Sequence, residues 1–213
     1  MTPLPQKGLY AITPNTPKTA VLLKKVELAL KGNIALLQYR DKTSSTDEKV
    51  FRANAIHQLC LKYKVPLIIN DDPELALVCE AEGVHLGQAD GSVEHARALL
   101  GESAIIGVTC HHDLSLAMTA EQQGANYVAF GRFFHSSTKP GTPFATLETL
   151  VKAKKTLSIP VVAIGGIKPC NAKPLVSKGA DYLAVAEHIF TSNNISESCR
   201  DFAALFSAYN AQV

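Results

Sequence analysis

Residues 67–90 read LIINDDPELALVCEAEGVHLGQAD, and both halves of this stretch run from apolar to acidic. Leu67, Ile68 and Ile69 form a short apolar run suited to a strand buried on both faces, broken at once by Asn70, Asp71 and Asp72. A helical stretch follows, with Pro73 in its first turn and Leu75, Ala76, Val78 and Cys79 as its apolar positions. Gly83 is expected to end that helix before Val84, His85 and Leu86 begin a second strand, which stops at Gly87, Gln88 and Asp90. Two neighbouring parallel strands would set Asp71 or Asp72 and Asp90 on one rim of a sheet, close enough for two carboxylates to share a hard cation. Mg²⁺ is the natural candidate, because it takes one or two carboxylates and leaves its other positions to water and phosphate oxygens. Asp72 reads as a helix cap, and Asp71 and Asp90 read as the metal ligands.

The same alternation of strand and helix extends to both sides. Strands are expected over residues 8–13, 34–39, 104–108, 127–130, 161–164 and 182–185, besides the two above. Helical patterns fall over 19–30, from Thr46 through Cys60, over 93–100, 114–123, 147–157 and 170–178, and in a last segment carrying Phe202, Leu205, Phe206 and Tyr209. Lys31-Gly32, Glu82-Gly83, Gln123-Gly124 and Lys178-Gly179 each lie between a helical pattern and a strand, where a left-handed glycine would end the helix. Eight strand candidates in alternation with helices are the pattern of an α/β fold, a single (β/α)₈ TIM barrel spanning residues 1–213. An open doubly wound sheet fits less well, since no G-x-G-x-x-G follows the first strand.

With 46% hydrophobic and 19% charged residues in 213, the chain has enough apolar material for one sizeable core. A formal charge of +2 without a basic stripe argues against nucleic acid as a partner. No apolar run is long enough for a membrane span and residues 1–7 lack the hydrophobic centre of a secretory signal, so a cytoplasmic protein is expected. Cys60, Cys79, Cys110, Cys170 and Cys199 are odd in number and scattered, which indicates neither a disulfide framework nor a zinc site. The oligomeric state is open, a homo-oligomer included.

Active sites of such barrels lie at the C-terminal ends of the strands. Those ends carry Gln38, Arg40 and Lys42; Asn70 and Asp71; Gln88 and Asp90; Thr109 with His111 and His112; Gly131 and the loop from Arg132 to Thr142; Gly165-Gly166; and Ala186-Glu187. Cations, a carboxylate pair and hydroxyls on one rim suit a diphosphate held through Mg²⁺, with Arg making bidentate contacts and Lys acting as a point charge. The competing reading is a solvated rim whose charges pair with each other, Arg40 with Asp71 for example. Gly165-Gly166 and the turn after the last strand suit a phosphate monoester approached by backbone N–H groups.

Laid out in this way, the sequence resembles the thiamine phosphate synthase family from Gly8 to Phe206. The runs that carry the resemblance are Gln38-Tyr39-Arg40-Asp41-Lys42, Ile69-Asn70-Asp71-Asp72, Val84-His85-Leu86-Gly87-Gln88-Ala89-Asp90, Gly107-Val108-Thr109, Phe130-Gly131 with Ser136-Ser137-Thr138-Lys139, and Ala163-Ile164-Gly165-Gly166-Ile167. The resemblance implies a Mg²⁺-dependent transferase that joins 4-amino-2-methyl-5-(diphosphomethyl)pyrimidine to a thiazole phosphate, giving thiamine phosphate and diphosphate. It implies that Gln38, Tyr39, Arg40, Asp41, Lys42, Asn70, Thr109 and Lys139 meet the pyrimidine diphosphate, with Arg40, Lys42 and Lys139 stabilising the leaving group. Ser136, Ser137 and Thr138 would contact the thiazole, Gly166, Ala186 and Glu187 its phosphate, and Asp71 and Asp90 the metal. Two departures stand out: Thr109 replaces a serine common in the family, and Ala186-Glu187 replaces a hydrophobic residue followed by serine. A thiazole tautomerase on the same fold is the enzymatic rival and a precursor sensor the non-enzymatic one. Neither has a use for a diphosphate site.

Overall fold

The computed structural model describes residues 4–135 and 144–210. In chain order the elements are β1 (Gly8–Ile12), α1 (Thr19–Leu30), β2 (Leu36–Tyr39), α2 (Thr46–Tyr63), β3 (Leu67–Asn70), α3 (Pro73–Val78), β4 (Gly83–Leu86), α4 (Val93–Leu100) and β5 (Ile105–His111). There follow α5 (Leu114–Gln122), β6 (Tyr127–Gly131), α6 (Leu147–Thr156), β7 (Val161–Ile164), α7 (Pro169–Ser177), β8 (Tyr182–Val185), α8 (Glu187–Phe190) and α9 (Ile195–Asn210). The strands pair in parallel in sequence order and β1 also pairs with β8, Gly8 opposite Tyr182 and Ala11 opposite Val185. The sheet is therefore a closed (β/α)₈ barrel, and the open-sheet alternative is excluded. Among the described residues no helix is long and apolar enough to cross a membrane.

A period of two governs the wall. Tyr10, Ile12, Leu36, Ile68, Ile105, Tyr127, Ala129, Val162, Tyr182 and Ala184 pack together inside the barrel. The residues between them, such as Leu9, Leu37, Tyr39, Leu67, Ile69, Val84, Ile106, Val128 and Leu183, pack against the surrounding helices. By the same parity Gln38, Asn70, His85 and Thr109 belong to the inner face, and Tyr39 to the outer one.

At the N-terminal ends of the strands one device recurs. The residue just before an even strand turns its side chain back to the first amides of the preceding odd strand. Glu82 accepts from Leu67 N at 2.7 Å, Asn126 from Ile106 N at 2.8 Å and Asp181 from Val161 N at 2.8 Å. Each is joined by a side chain from the helix before that odd strand: His57 at 3.4 Å, Arg97 at 2.8 Å and Lys154 at 2.8 Å respectively. These groups satisfy strand N–H groups that the ladder leaves without partners.

Several boundaries depart from the expected ones for identifiable reasons. Helix α3 stops at Val78, and Glu80, at φ 54°, makes the left-handed turn expected of Gly83. Gly83 is instead the first residue of β4, where a Cβ would lie 1.8 Å from the Ile105 carbonyl oxygen. Gly32 likewise answers to space, since its Cβ would meet Cys199 Cβ at 2.4 Å, and Asn33 takes the positive φ of 63°. Gly124 and Gly179, at φ 90° and 107°, do serve as the expected turns. Strand β5 runs on to His111 through an irregularity in register between Thr109 and His111. The short helix α8, opened by Glu187, had no signal in the pattern.

The two kinds of glycine predict different losses. Gly83→Ala forces a methyl group onto backbone and should cost more than about 3 kcal/mol, with β4 and β5 pushed apart. Gly124→Ala has open space around its Cβ and should cost only about 1 kcal/mol from its positive φ. Urea unfolding of both variants checks the ranking, and equal losses would refute it.

Candidate active site

The described polar residues collect at the C-terminal rim of β2 to β5. A cleft of about 540 Å³ there is bordered by Lys42, Asn70, Asp71, Asp72 and Asp90, with Lys49, Glu74 and His95 farther out. Each wall has a local cause. Asp72 caps α3 through Leu75 N at 2.8 Å, as expected, which frees Asp71 for the cleft. Asp71 holds a left-handed φ of 66° and donates its N–H to the His85 carbonyl at 2.8 Å, so one more bond extends the β3–β4 ladder past the strand. An aspartate tolerates this conformation better than most residues. Ser92, not Asp90, caps α4, leaving the Asp90 carboxyl to accept from Gly87 N at 2.8 Å.

The carboxyl groups of Asp71 and Asp90 are near enough to shift one another's ionisation, and Lys42 Nζ forms an ion pair with Asp71 Oδ2. Burial works against a charged Asp71, yet the hydrogen bonds from Lys42 and Asp90 and the Lys42 charge hold it below the usual carboxylate range. Asp90 is pushed the other way, by burial and by the neighbouring Asp71. Two carboxyl groups that cannot both ionise comfortably are a donor set that a divalent cation relieves. Among the described residues no group of three or more His, Cys, Asp and Glu side chains converges. The rival pairing of Arg40 with Asp71 is not formed. Arg40 is half-buried, its backbone N–H donates to Thr13 Oγ1 at 2.9 Å, and its guanidinium has no hydrogen-bond partner among the described residues.

Tyr39 and Asp41 border the cleft, but their polar atoms turn away from it. The Asp41 carboxylate, 3% exposed, accepts from Arg52 Nη1 at 2.9 Å, from Tyr39 OH at 3.1 Å and from the Thr43 and Ser44 amides at 3.0 Å. Burial opposes its charge, but those backbone N–H groups hold it well below the usual range. Arg52 is 1% exposed, and its remaining N–H groups reach Thr19 Oγ1, Glu48 Oε1 and the carbonyls of Thr16 and Pro17. All five guanidinium hydrogens are thus placed, and the loop carrying Arg40 and Lys42 is tied to the loop after β1. The sequence reading missed Arg52; its signal was a cation on the buried stripe of Ala53, Ile56 and Cys60.

Inside the barrel the polar residues form a continuous chain. Gln38 Nε2 donates to Tyr10 OH at 2.9 Å, Tyr10 OH meets Tyr127 OH at 2.8 Å, and Tyr127 OH meets His85 Nδ1 at 3.0 Å. His85 Nε2 lies 2.8 Å from Thr109 Oγ1, and the His85 and Tyr127 rings stack at 5.6 Å. Gly107 makes room for this chain, since its Cβ would fall 1.9 Å from the Tyr127 ring. Of the two histidines after β5, His111 ends the strand at φ 52° and His112 is exposed; Asp113 caps α5 instead of either. Cys110, expected after a strand, lies in it and is buried, with its thiol pushed up to about 12 by burial.

On the other side of the rim, Gly165 and Gly166 have φ of 104° and 65°. A Cβ on Gly166 would come within 2.3 Å of the His135 carbonyl oxygen, so the turn packs directly on the chain after β6. Ala186 is the N-cap of the four-residue helix α8 and Glu187 its first residue. Ser136, Ser137, Thr138 and Lys139 lie outside the described residues.

The family profile described as thiamine monophosphate synthase matches residues 9–189. A thiamine-phosphate synthase of Marinobacter nauticus is 50% identical over 206 residues, covering 96% of this chain and 90% of its own, and one of Methylococcus capsulatus is 44% identical over 206 residues, covering 97% and 92%. The solved structure of thiamine phosphate pyrophosphorylase from Pyrococcus furiosus superposes with a TM-score of 0.85 at 29% identity, over 95% of this chain and 96% of that one. The chain belongs to the thiamine monophosphate synthase family and is a transferase enzyme of thiamine biosynthesis.

Proposed function

We propose that the cleft binds the pyrimidine diphosphate beside Mg²⁺ and that the enzyme transfers the pyrimidine methylene to the nitrogen of a thiazole phosphate, releasing diphosphate. The observation that carries this reading is the Lys42–Asp71–Asp90 cluster in the cleft. A tautomerase that handles only the thiazole phosphate has no use for such a site. Arg40 and Lys42 would meet the diphosphate oxygens as charge grows on them, with Lys139 from the loop after β6. Asp71 and Asp90 would hold Mg²⁺, which when bound supplies charge neutralisation to the leaving group. Gln38 and Asn70, on the inner face, would orient the pyrimidine, whose amino group pushes electron density toward the methylene carbon. Ser136, Ser137 and Thr138 would meet the thiazole. Its phosphate would rest on backbone N–H groups near Gly166, Ala186 and Glu187, a contact indifferent to the side chain at position 187. Catalysis then rests on positioning two substrates and stabilising one leaving group. Tyr39 and Asp41 would serve by shaping the loop through Arg52, not by touching substrate. Action as one barrel unit over residues 1–213, in the cytoplasm, belongs to the same reading.

Incubation with both substrates and Mg²⁺ should yield thiamine phosphate and diphosphate, and no product under those conditions would overturn the assignment. Asp71→Asn and Asp90→Asn should each raise the Mg²⁺ concentration needed for half-maximal rate and lower turnover by about a hundredfold, or about 3 kcal/mol of transition-state stabilisation. Normal turnover at limiting Mg²⁺ would remove that residue from the metal site.

A second comparison separates contact from scaffold. Arg40→Ala should leave the melting temperature nearly unchanged and lower kcat/KM by about a hundredfold. Asp41→Asn should do the reverse, costing about 3 kcal/mol of stability because it removes the buried one of the two carboxylates that pair with Arg52, while the folded fraction retains most of its activity. Asp41→Asn protein that is stable but inactive would place Asp41 at the substrate.

A further inference from the structure

We infer that His85 is a positioning residue: a one-way chain of hydrogen bonds, directed from Gln38 across the barrel, fixes the His85 tautomer and makes the Thr109 hydroxyl a donor toward the bound pyrimidine diphosphate. The inference deepens the function proposed above and rests on it for the identity of the ligand.

The direction follows from counting hydrogens. Gln38 Nε2 can only donate, so Tyr10 OH accepts from it at 2.9 Å. Tyr10 is 1% exposed, and its single hydroxyl hydrogen has the Tyr127 oxygen, 2.8 Å away, as its acceptor. Pointing it elsewhere would strand a buried donor. Burial pushes both phenols well above their usual range, so each keeps its hydrogen. Tyr127, having accepted from Tyr10, donates to His85 Nδ1 at 3.0 Å. That nitrogen is then bare, and the ring carries its proton on Nε2, 2.8 Å from Thr109 Oγ1. Thr109 accepts from the imidazole and keeps its own hydrogen to give away at the rim.

One further contact holds the end of the chain in place: Gln88 Nε2 donates to the Thr109 carbonyl at 2.5 Å, just before the register with β6 shifts between Thr109 and His111. Were the Gln38 amide reversed, every bond would run backward and Thr109 would spend its hydrogen on His85. The chain thus couples two inner-face residues three strands apart, and a donor at Thr109 suits a ligand rich in anionic oxygens.

The experiment begins with ligand-free enzyme labelled with ¹⁵N-histidine, the His85 signals identified by their loss in His85→Gln. Imidazole ¹⁵N shifts at neutral pH should show Nε2 protonated and Nδ1 bare; the opposite tautomer, or an imidazolium, overturns the inference without any variant having to fold. In Tyr127→Phe the Nδ1 atom loses its donor, so the ring should become a mixture of tautomers, and an unchanged Nε2-protonated ring would show that the chain does not set it. With both substrates, Tyr127→Phe should lower kcat/KM for the pyrimidine diphosphate about tenfold, but by less than about twofold in a Thr109→Val background. Additive losses overturn the route through Thr109. Protein that makes no thiamine phosphate yet shows the expected tautomer counts against the assigned reaction and supports the chain.

Discussion

Every second residue of eight strands has to fit in one narrow lumen, and the rest of this structure follows from how that space is filled. Tyr10, Ile12, Leu36, Ile68, Ile105, Val162 and Tyr182 fill much of it with apolar bulk. Toward the strand ends the same parity brings Gln38, Asn70, His85 and Thr109 inward, where a polar group without a partner would be destabilising. The structure resolves this by letting the polar groups satisfy one another, with two buried tyrosines spanning the gap between β2 and β5. Gly107 is a consequence of that solution, because the space of its missing side chain is taken by Tyr127.

The cleft itself works by opposed charges held near one another. Lys42 compensates Asp71 and leaves Asp90 in the less favourable position. The loop that presents Lys42 is fixed from beneath by Arg52, a buried cation whose every donor is used. Rigidity below and charge above are separate contributions from neighbouring residues of a single run, Gln38 to Lys42. Alternate positions of the run face the lumen and the helices.

Much of this was legible from pattern. The eight strands, the alternation with helices and the acidic ends of β3 and β4 all follow from apolar runs broken by polar residues, and Asp72 announced itself as a cap. What escaped has physical reasons. Glycine between helix and strand has two uses, a left-handed turn at Gly124 and room for a neighbour at Gly83, and spacing along the chain does not tell them apart. Tyr39 and Asp41 line the cleft next to Arg40 in sequence, but their hydroxyl and carboxylate meet each other and Arg52, a pairing that adjacency along the chain does not show. The role of Arg52 depends on two loops that meet only in space, and the links from Gln38 to Thr109 cross the lumen, so no local window contains either.

The polar groups at the N-terminal strand ends divide the barrel in a way its smooth outline hides. Glu82 with His57, Asn126 with Arg97 and Asp181 with Lys154 each bind one odd strand to the next even strand and to the helix before them. The chain is thereby parcelled into helix–strand–helix–strand modules that begin with α2, α4 and α6. None of these ties crosses the segments between modules, namely the connections after β2, β4 and β6. Those are the connections that carry Arg40 and Lys42, Gln88 and Asp90, and the long segment from Arg132 to Thr146. Changes of sequence in these three connections leave each module's clasp in place, a separation that suits a fold shared by many chemistries.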